Sequence, residues 1–296
     1  MQVLSNLIIN CMKLIRFGDV NNEKPGVHID NSNYDVSGFI NDYDEVFFAN
    51  GGIPHLRWML NKYKNMLPKV PEGIRLGSPI ARPSKIICIG LNYADHAKES
   101  GAETPTEPII FLKATSSLSG PFDNITIPKN SEKTDWEVEL AVVIEKKASY
   151  VDEANAMDYV AGYVLHNDVS ERAFQLEKGG TWDKGKGCDS FAPLGPWLVT
   201  KDDITDVNNM RLWLKINNMI MQEGSTANLI FNIPFLVSYI SQFMTLLPGD
   251  VISTGTPAGV GLGMKPPVYL KEGDVVELGI DGLGISKQKC VAYGNN

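Results

Sequence analysis

The pattern of apolar and polar positions along the chain predicts a protein rich in β-strands with a few helices. Residues 86–89, Ile-Ile-Cys-Ile, form a short continuous apolar run, which is typical of a strand buried on both faces. The Asp281-Gly282 pair predicts a hairpin turn between two strands near the C-terminus. Helices are predicted at residues 153–157, 170–178 and 234–245, so the fold class is α+β and β-rich. The remaining predicted strands are residues 109–112, 136–144, 159–166, 212–216, 251–254 and 275–280.

The N-terminal part of the chain predicts a unit of its own. Residues 12–40 have the pattern of two or three short strands, and residues 42–67 carry a helical pattern. Many Pro and Gly residues between positions 68 and 83 then indicate a linker. We therefore predict an extension at residues 1–11, a small N-terminal α+β domain at residues 12–75 and a larger domain at residues 76–296. Turns or breaks are expected at Gly18-Asp19, Asn21-Asn22, Lys24-Pro25-Gly26, Gly51-Gly52 and Pro54.

The first residues and the cysteines indicate a cytoplasmic protein. Residues 3–15 are apolar but too short to span a bilayer, and no positively charged segment precedes them, which disfavours a signal peptide. The four cysteines lie far apart without a C-x-x-C pair. A disulfide framework and a cysteine-rich zinc site are therefore not expected, and a reducing cytoplasm is the default.

Charge and composition narrow the class of partner. The 296 residues include 27 Lys+Arg and 35 Asp+Glu, which gives a net charge of −8 without any basic cluster. Nucleic acid and membranes are therefore not expected as partners, and a small molecule remains. Near-matches to nucleotide-binding loops fail, because prolines follow Gly259–Gly263 and Gly187 replaces the Ser/Thr of a phosphate loop. A G-x-S-x-G motif for a serine nucleophile is absent from the sequence.

Two acidic residues on one predicted strand suggest a metal site. Side chains alternate along a strand, so Glu137 and Glu139 share one face while Trp136 and Val138 point to the other. Two like charges on one face repel unless a cation lies between them, and oxygen ligands favour Mg²⁺, Mn²⁺ or Ca²⁺. The alternative is a half-exposed strand with solvated glutamates.

A third carboxylate follows the predicted strand at residues 159–166. Asp168, Arg172 and Gln175 are spaced so that they would share one face if a helix began at Asp168. Asp168 would then be either the helix N-cap or a third metal ligand, and the spacing leaves both open. In the second case, Arg172 and Gln175 would hold an anionic, oxygen-rich substrate.

A histidine and a glutamate form the third candidate feature. If residues 96–99 are helical, His96 and Glu99 can hydrogen-bond, which would orient the imidazole as a general base for water. The alternative is a surface histidine beside a surface glutamate.

These features occur within six segments that together carry a resemblance. The order of the segments resembles the fumarylacetoacetate hydrolase superfamily, in particular its bacterial diketo-acid hydrolase branch, over about residues 80–293. The small N-terminal domain is similar to that of many members. The segments are residues 90–99, 111–113, 135–144, 166–172, 186–191 and 253–261.

The resemblance implies a fold, a metal and a set of site residues. It implies a mixed β-sandwich roll as the catalytic domain, a homodimer, and Mg²⁺, with Mn²⁺ or Ca²⁺ as alternatives. The implied residues are Glu137, Glu139 and Asp168 as metal ligands, Arg172, Gln175, Lys186 and Thr256 around a bound 2-oxo acid, and His96 with Glu99 as the pair that activates water.

These parts predict a reaction class and leave alternatives open. The expected activity is hydrolysis of a carbon–carbon bond in a 2,4-dioxo acid of the acylpyruvate type, from sugar-acid or aromatic catabolism, with Lys186 helping to stabilise the leaving enolate. An oxaloacetate-type decarboxylase or a 2-hydroxyhepta-2,4-diene-1,7-dioate isomerase or hydratase would use the same scaffold. The alternative of another class is a non-catalytic protein that binds a divalent cation or a dicarboxylate.

Overall fold

The computed structural model describes residues 11–99, 101 and 103–294. The predicted extension at residues 1–11 therefore lies outside the described residues, except for Cys11. The described chain is a β-rich α+β protein, as predicted. None of the helices in the described ranges has the length and apolar character needed to cross a membrane.

Nineteen strands form within the described ranges, most of them short. They are β1 (Lys13–Phe17), β2 (Lys24–Ile29), β3 (Ser32–Asp35), β4 (Leu76–Gly77), β5 (Ile86–Gly90), β6 (Ile109–Lys113), β7 (Leu118–Ser119), β8 (Ile125–Ile127), β9 (Thr134–Asp135), β10 (Val138–Ile144), β11 (Val160–Asn167), β12 (Ser170–Glu171), β13 (Ala192–Pro193), β14 (Leu198–Thr200), β15 (Arg211–Ile216), β16 (Met219–Ser225), β17 (Val251–Ser253), β18 (Val275–Ile280) and β19 (Gly284–Ala292).

The helices are fewer and shorter. The α-helices of the described residues are α1 (Glu45–Ala49), α2 (Gly52–Tyr63), α3 (Ala94–Glu99), α4 (Arg172–Leu176), α5 (Asp183–Lys186) and α6 (Ile233–Phe243). Short 3₁₀ helices cover Lys64–Met66, Thr115–Ser117, Glu153–Tyr159, Lys201–Asp203, Val207–Asn209, Thr226–Asn228 and Gly261–Gly263.

Two sheets pack face to face around the main core. The larger sheet has the order β3-β2-β1-β14-β11-β10-β17-β5-β6, with β4 beside β1, and only β17 and β5 run parallel within it. The second sheet has the order β16-β15-β18-β19-β8. Val138 and Leu140 of β10 share a core with Leu214 of β15 and Leu278 of β18. The apolar residues at every second position of β10 thus face the second sheet.

Helices α1 and α2 cover the other face of the larger sheet. Phe48 of α1 and Leu56 of α2 share a core with Ala141 and Val143 of β10, which point away from the second sheet. The central strand is therefore buried on both faces, and its carboxylates lie among buried residues.

The N-terminal strands belong to the same sheet as the central strands. Lys13 and Leu14 of β1 pair with Val199 and Leu198 of β14, and β14 pairs with β11. The segment between residues 68 and 83, predicted as a linker, contributes β4, which pairs with β1. The domain boundary near residue 75 stays a prediction.

Most predicted elements form near their predicted positions, and three details of the prediction are wrong. Lys24-Pro25-Gly26 is part of β2 and not a turn, with Pro25 opposite Arg16 of β1. Pro54 does not interrupt α2, because it lies in the first turn, where the missing N–H has no helical partner. The helix predicted at 170–178 is shorter, since β12 comes first and α4 covers only Arg172–Leu176.

Candidate active site

Three carboxylates converge at the start of β10. Glu137 directly precedes the strand, Glu139 lies within it, and Asp168 directly follows β11, the antiparallel neighbour of β10. One oxygen of each carboxylate lies within 4.8 Å of one oxygen of each of the others. The side chains are buried, with only 4%, 1% and 0% of each residue exposed, so the alternative of solvated glutamates on a half-exposed strand is wrong.

Asp168 reaches this cluster from a loop and not from a helix. Its backbone N–H donates to the Glu137 carbonyl (2.9 Å), which extends the pairing of the two strands by one hydrogen bond. The N-cap of α4 is Glu171, whose side chain accepts from the Ala173 N–H. The N-cap alternative for Asp168 is therefore wrong, and so is the shared helical face, because the chain becomes helical only at Arg172.

Three buried cations surround the carboxylates. Lys186 Nζ lies 2.7 Å from Glu137 Oε2 and 2.8 Å from Asp168 Oδ2. Arg172 Nη2 donates to Glu137 Oε1 (2.6 Å), and Lys113 donates to Asp168 Oδ1 and to the Val169 carbonyl. Lys113 was not among the predicted site residues. Its sequence segment contributed to the resemblance, but only its contact with Asp168, 55 positions further along the chain, shows that Lys113 belongs to the site.

The buried cations lower the pKa values of two of the three carboxylates but not that of the third. Burial works to raise the pKa of Glu137, but Lys186 and Arg172 outweigh it and hold this pKa below its usual value. Burial is also outweighed at Asp168, where Lys113 and Lys186 lower the pKa. For Glu139, burial and the charges of Asp168 and Glu137 together raise the pKa well above normal. Glu139 is thus the ligand candidate that most lacks a positive partner.

A hydrogen-bonded chain behind Glu139 fixes its carboxylate. Glu139 Oε2 accepts from Ser253 Oγ (2.5 Å) and from the Gly255 N–H (2.9 Å). Ser253 Oγ in turn lies 2.6 Å from Nδ1 of His166, which is opposite Glu139 on β11. Burial lowers the pKa of His166 to about 3, so this imidazole is neutral at physiological pH. With Glu139 ionised, the Ser253 hydroxyl donates to it and accepts from His166 Nδ1–H.

Arg172 and Gln175 form the next part of the site. Both lie on α4 three residues apart, and Arg172 Nη1 donates to Gln175 Oε1 (3.0 Å). Arg172 Nε donates to Asp135 Oδ2 (2.8 Å), and Asp135 also accepts from the N–H groups of Gly261 (2.7 Å) and Leu262 (3.0 Å). Asp135 was not predicted as a site residue, although it immediately precedes the Trp136–Glu137 pair.

Thr256 is held from the second sheet. Its hydroxyl donates to the Val138 carbonyl (2.9 Å) and accepts from Gln222 Nε2 (2.8 Å), while Gln222 Oε1 accepts from the Val138 N–H (3.0 Å). Gln222 is fully buried on β16. Sequence reasoning missed it, since a single glutamine in an alternating strand carries no motif.

His96 and Glu99 lie on the short helix α3, as predicted. His96 Nδ1 is 3.5 Å from Glu99 Oε2, and both Glu99 oxygens accept from the Gly259 N–H at 3.0 Å. Burial tends to raise the pKa of Glu99, but the His96 and Gly259 hydrogen bonds outweigh it, so the pKa lies below normal. The carboxylate is thus ionised and joins the helix to the loop after β17.

One cavity of about 600 Å³ brings these groups together. Eight of the nine predicted site residues line it, and the ninth, Asp168, contacts the cavity-lining Lys186. The donor set of Glu137, Glu139 and Asp168 fits a divalent cation, because it consists of hard oxygen atoms at the separation that a single ion spans. A cation there would also offset the repulsion that raises the Glu139 pKa. The eight lining residues are His96, Glu99, Glu137, Glu139, Arg172, Gln175, Lys186 and Thr256.

Comparison with solved structures identifies the class of fold. A fumarylacetoacetate hydrolase from Exiguobacterium antarcticum superposes with a TM-score of 0.84 at 34% identity, covering 95% of this chain and 100% of its own. Maleylpyruvate hydrolase from Sphingobium sp. SYK-6, solved with manganese(II) and pyruvate, superposes with a TM-score of 0.80 at 28% identity. The match covers 95% of this chain and 99% of the hydrolase chain. A 2-hydroxyhepta-2,4-diene-1,7-dioate isomerase from Mycobacterium marinum superposes with a TM-score of 0.73 at 30% identity. The match covers 96% of this chain and 100% of the isomerase chain. The chain therefore has the fold of a class of hydrolases and isomerases.

Sequence comparison then identifies the family. The fumarylacetoacetate (FAA) hydrolase C-terminal family profile matches residues 85–291. A Burkholderia multivorans protein described as a hydrolase is 51% identical over 275 residues, covering 92% of this chain and 96% of its own. The chain belongs to the fumarylacetoacetate hydrolase family, which confirms the resemblance inferred from the six segments.

Proposed function

We propose that this protein is a Mg²⁺-dependent hydrolase that cleaves a carbon–carbon bond in a 2,4-dioxo acid, giving pyruvate and a carboxylic acid. One observation carries the proposal: a single cavity is lined by Glu137 and Glu139 of the buried carboxylate triad, by two buried cations and by the His96–Glu99 pair. The related maleylpyruvate hydrolase with manganese and pyruvate supports this assignment, because that protein holds both a divalent metal and a 2-oxo acid.

Glu137, Glu139 and Asp168 would hold the cation. When bound, the cation supplies Lewis-acid polarisation of a keto group. Arg172 uses three of its five N–H groups on Asp135, Glu137 and Gln175, which leaves two for a substrate carboxylate. Lys186 likewise donates to two carboxylates and keeps one N–H for a substrate oxygen.

His96 and Glu99 would carry out the proton transfers. Glu99 orients the imidazole, and His96 accepts a proton from water as the water oxygen attacks the distal carbonyl carbon. The carbon–carbon bond then breaks, and its electron pair passes to the leaving enolate of pyruvate. Lys186 stabilises the negative charge of that enolate, and the proton held by His96 returns to its carbon.

The first experiment tests the metal requirement. Activity on a panel of 2,4-dioxo acids should disappear with EDTA and return with Mg²⁺ or Mn²⁺. Glu137→Gln should abolish the activity, whereas Glu177→Gln, which changes an exposed carboxylate that does not line the cavity, should not. Full activity in the chelated enzyme would rule out the proposal.

The second experiment separates hydrolysis from the alternatives. His96→Ala should reduce kcat for hydrolysis by roughly 10²–10⁴-fold, the usual contribution of a general base. Decarboxylation of oxaloacetate should fall much less, because that reaction requires no attacking water. His55→Ala on the exposed side of α2 is the control. Equal losses of both activities in His96→Ala would contradict the role of His96 as the water-activating base.

An isomerase acting on a related dioic acid is the second candidate, because the Mycobacterium marinum isomerase shares the fold over almost the whole chain. Product analysis distinguishes the two, since an isomerase releases no pyruvate. A purely binding protein is disfavoured, because binding alone does not require the oriented His96–Glu99 pair.

The proposal includes a homodimer in a reducing cytoplasm. The spacing of the four cysteines supports the reducing compartment, because they lie far apart without a C-x-x-C pair. Light scattering in solution would determine the oligomeric state.

A further inference from the structure

The active-site cavity has two chemically different parts. Its floor carries the triad glutamates with Arg172 and Lys186, whereas its outer wall is formed by apolar side chains. Leu176 and Leu262 at this wall are 50% and 36% exposed, which places two leucines at an open rim. The wall consists of Leu91, Leu176, Trp182, Val260, Leu262, Met264 and Pro267.

Trp182 is the largest side chain of this wall, and its position is fixed. Its indole packs edge-on against Phe111, with ring centroids 5.2 Å apart. The indole also lies over Gly90 at the end of β5, where a Cβ atom would be only 2.6 Å from the ring. Gly90 therefore makes room for the indole, because any larger residue at position 90 would clash with the ring. Phe111 in turn lies 5.0 Å below Lys186 Nζ, so the aromatic pair begins directly beside the charged floor.

Part of this wall is a loop, residues 260–264, that is anchored to the catalytic groups. Asp135 accepts from the N–H groups of Gly261 and Leu262, and the same carboxylate holds Arg172. A Cβ atom at Gly263 would lie 2.6 Å from the Glu99 carboxyl carbon, so this glycine allows the loop to pack against Glu99. The apolar wall is thus formed by the same contacts that position Arg172 and Glu99.

Charge is scarce at this wall. Apart from the floor residues, His96 and Glu99, Lys265 is the one charged residue among the described residues that line the cavity, and it is exposed. A second substrate carboxylate would find no buried cation there, and a polyhydroxylated chain would meet few hydrogen-bonding groups. An alkyl chain would lose no hydrogen bonds on entering and would bury its surface against Trp182 and Met264.

We propose that this wall is the binding site for the acyl group of the substrate, and that the preferred substrates are acylpyruvates with an alkyl chain of several carbons. This inference rests on the proposed function. The α-oxo acid end would occupy the charged floor, and the carbon chain beyond the cleaved bond would lie against Trp182, Leu176 and Leu262.

The test compares acetylpyruvate, butanoylpyruvate and hexanoylpyruvate with fumarylpyruvate, which has a charged tail. We expect kcat/KM to rise about fourfold for each added methylene, the value of burying one CH₂ group. Fumarylpyruvate should be poorer than the alkyl substrates of similar length. Trp182→Ala should reduce the rise to less than about twofold per methylene, and Trp58→Ala, an exposed tryptophan of α2, should leave it unchanged.

A second variant and a binding measurement keep the test independent of folding and of catalysis. Leu262→Ser at the exposed rim should also reduce the increase of kcat/KM per methylene. This variant provides the test if Trp182→Ala fails to fold. Calorimetry with Mn²⁺-loaded enzyme should show that affinity increases from pyruvate to 2-oxohexanoate and 2-oxooctanoate.

The outcomes separate the two proposals. Cleavage of acetylpyruvate without a chain-length effect, or a preference for fumarylpyruvate that Lys265→Gln removes, overturns the acyl-site proposal and leaves the proposed function intact. If no acylpyruvate is cleaved, the proposed function is wrong. The binding series then decides this inference alone, because a rise in affinity supports the apolar site and equal affinities overturn it.

Discussion

Glu137 and Glu139 point to the same cavity from neighbouring positions, yet their electrostatic surroundings differ. Glu137 has ion pairs with Arg172 and Lys186, whereas Glu139 accepts hydrogen bonds only from the neutral Ser253 and Gly255 among the described partners. The two carboxylates should therefore contribute to stability with opposite sign when no metal is bound.

This difference gives a paired prediction. Glu137→Gln should destabilise the metal-free protein by about 2–3 kcal/mol, because Arg172 and Lys186 each lose one of their two buried carboxylate partners. Glu139→Gln should stabilise it by roughly 1 kcal/mol, because it removes a carboxyl group whose pKa burial, Asp168 and Glu137 raise, while the amide oxygen can still accept from Ser253. Both variants should lose the stabilisation that Mn²⁺ gives to the wild type.

Urea unfolding with and without Mn²⁺ measures all three quantities. Glu177→Gln is the control for removing one carboxylate at an exposed position. A loss of stability of similar size in both buried variants would show that the cations do not distinguish the two glutamates.

The sequence could indicate the residues that carry motifs but not those that support them. The alternation of side chains along one strand predicts Glu137 and Glu139. The position of Asp168 directly after the next strand makes it a candidate for the same site. Ser253 and Gln222 lie 114 and 84 residues away from their partners on β10. The pairing of β17 with β10 brings Ser253 to the site, and the packing of the second sheet brings Gln222. Gln222 has no local pattern that would reveal this role, and Ser253, although it begins the segment 253–261, is not distinguished there as a partner of Glu139.

At the scale of elements, Asn92 connects three segments around the active site. Its side-chain Nδ2 donates to the carbonyls of Thr254 (2.8 Å) and Phe231 (3.0 Å), and its Oδ1 accepts from the Phe231 N–H (2.8 Å). Thr254 follows β17, Phe231 precedes α6, and Asn92 itself lies just before α3. Asn92 is fully buried, and its hydrogen bond to the Thr254 carbonyl is shielded from water, whereas the two with Phe231 are partly buried.

We therefore predict that Asn92→Ala loosens α3. The loss of three hydrogen bonds, one of them fully buried, should destabilise the protein by about 2–3 kcal/mol, at up to roughly 1 kcal/mol each. Backbone amides of α3 should exchange with deuterium faster than in the wild type, and kcat should fall because His96 and Glu99 lie on this helix.

Hydrogen exchange measured by mass spectrometry over residues 91–99 checks this prediction. The control is Asn50→Ala, which removes an exposed hydrogen bond to Val46. Unchanged exchange in α3 with normal kcat would mean that other contacts hold the helix.

Element boundaries could be predicted where the pattern is local and not where tertiary contacts decide. The continuous apolar run at 86–89 and the Asp-Gly turn after β18 gave the right elements, because burial on two faces and tight turns leave direct traces in sequence. The start of α4 was predicted too early, since β12 pairs with β9, a strand of two residues that has no pattern of its own.

At the scale of the whole molecule, the strand-rich pattern defines the fold class, but it does not determine how the strands are arranged. Sequence periodicity cannot show that β1 lies beside β14, which is 185 positions further along the chain. The sandwich was predicted from the resemblance to the family, and the structure confirms that resemblance.

The pairing of β1 with β14 has a consequence for any shortened form of the protein. A chain that begins at residue 76 would lack β1, β2 and β3 and would leave the backbone groups of β14 open to solvent. Such an unprotected strand is a template for pairing with other molecules, so the shortened chain should aggregate. A chain that begins at Met12 keeps β1 and should remain monodisperse in size-exclusion chromatography with light scattering. A well-behaved chain beginning at residue 76 would show instead that the catalytic part closes its own sheet.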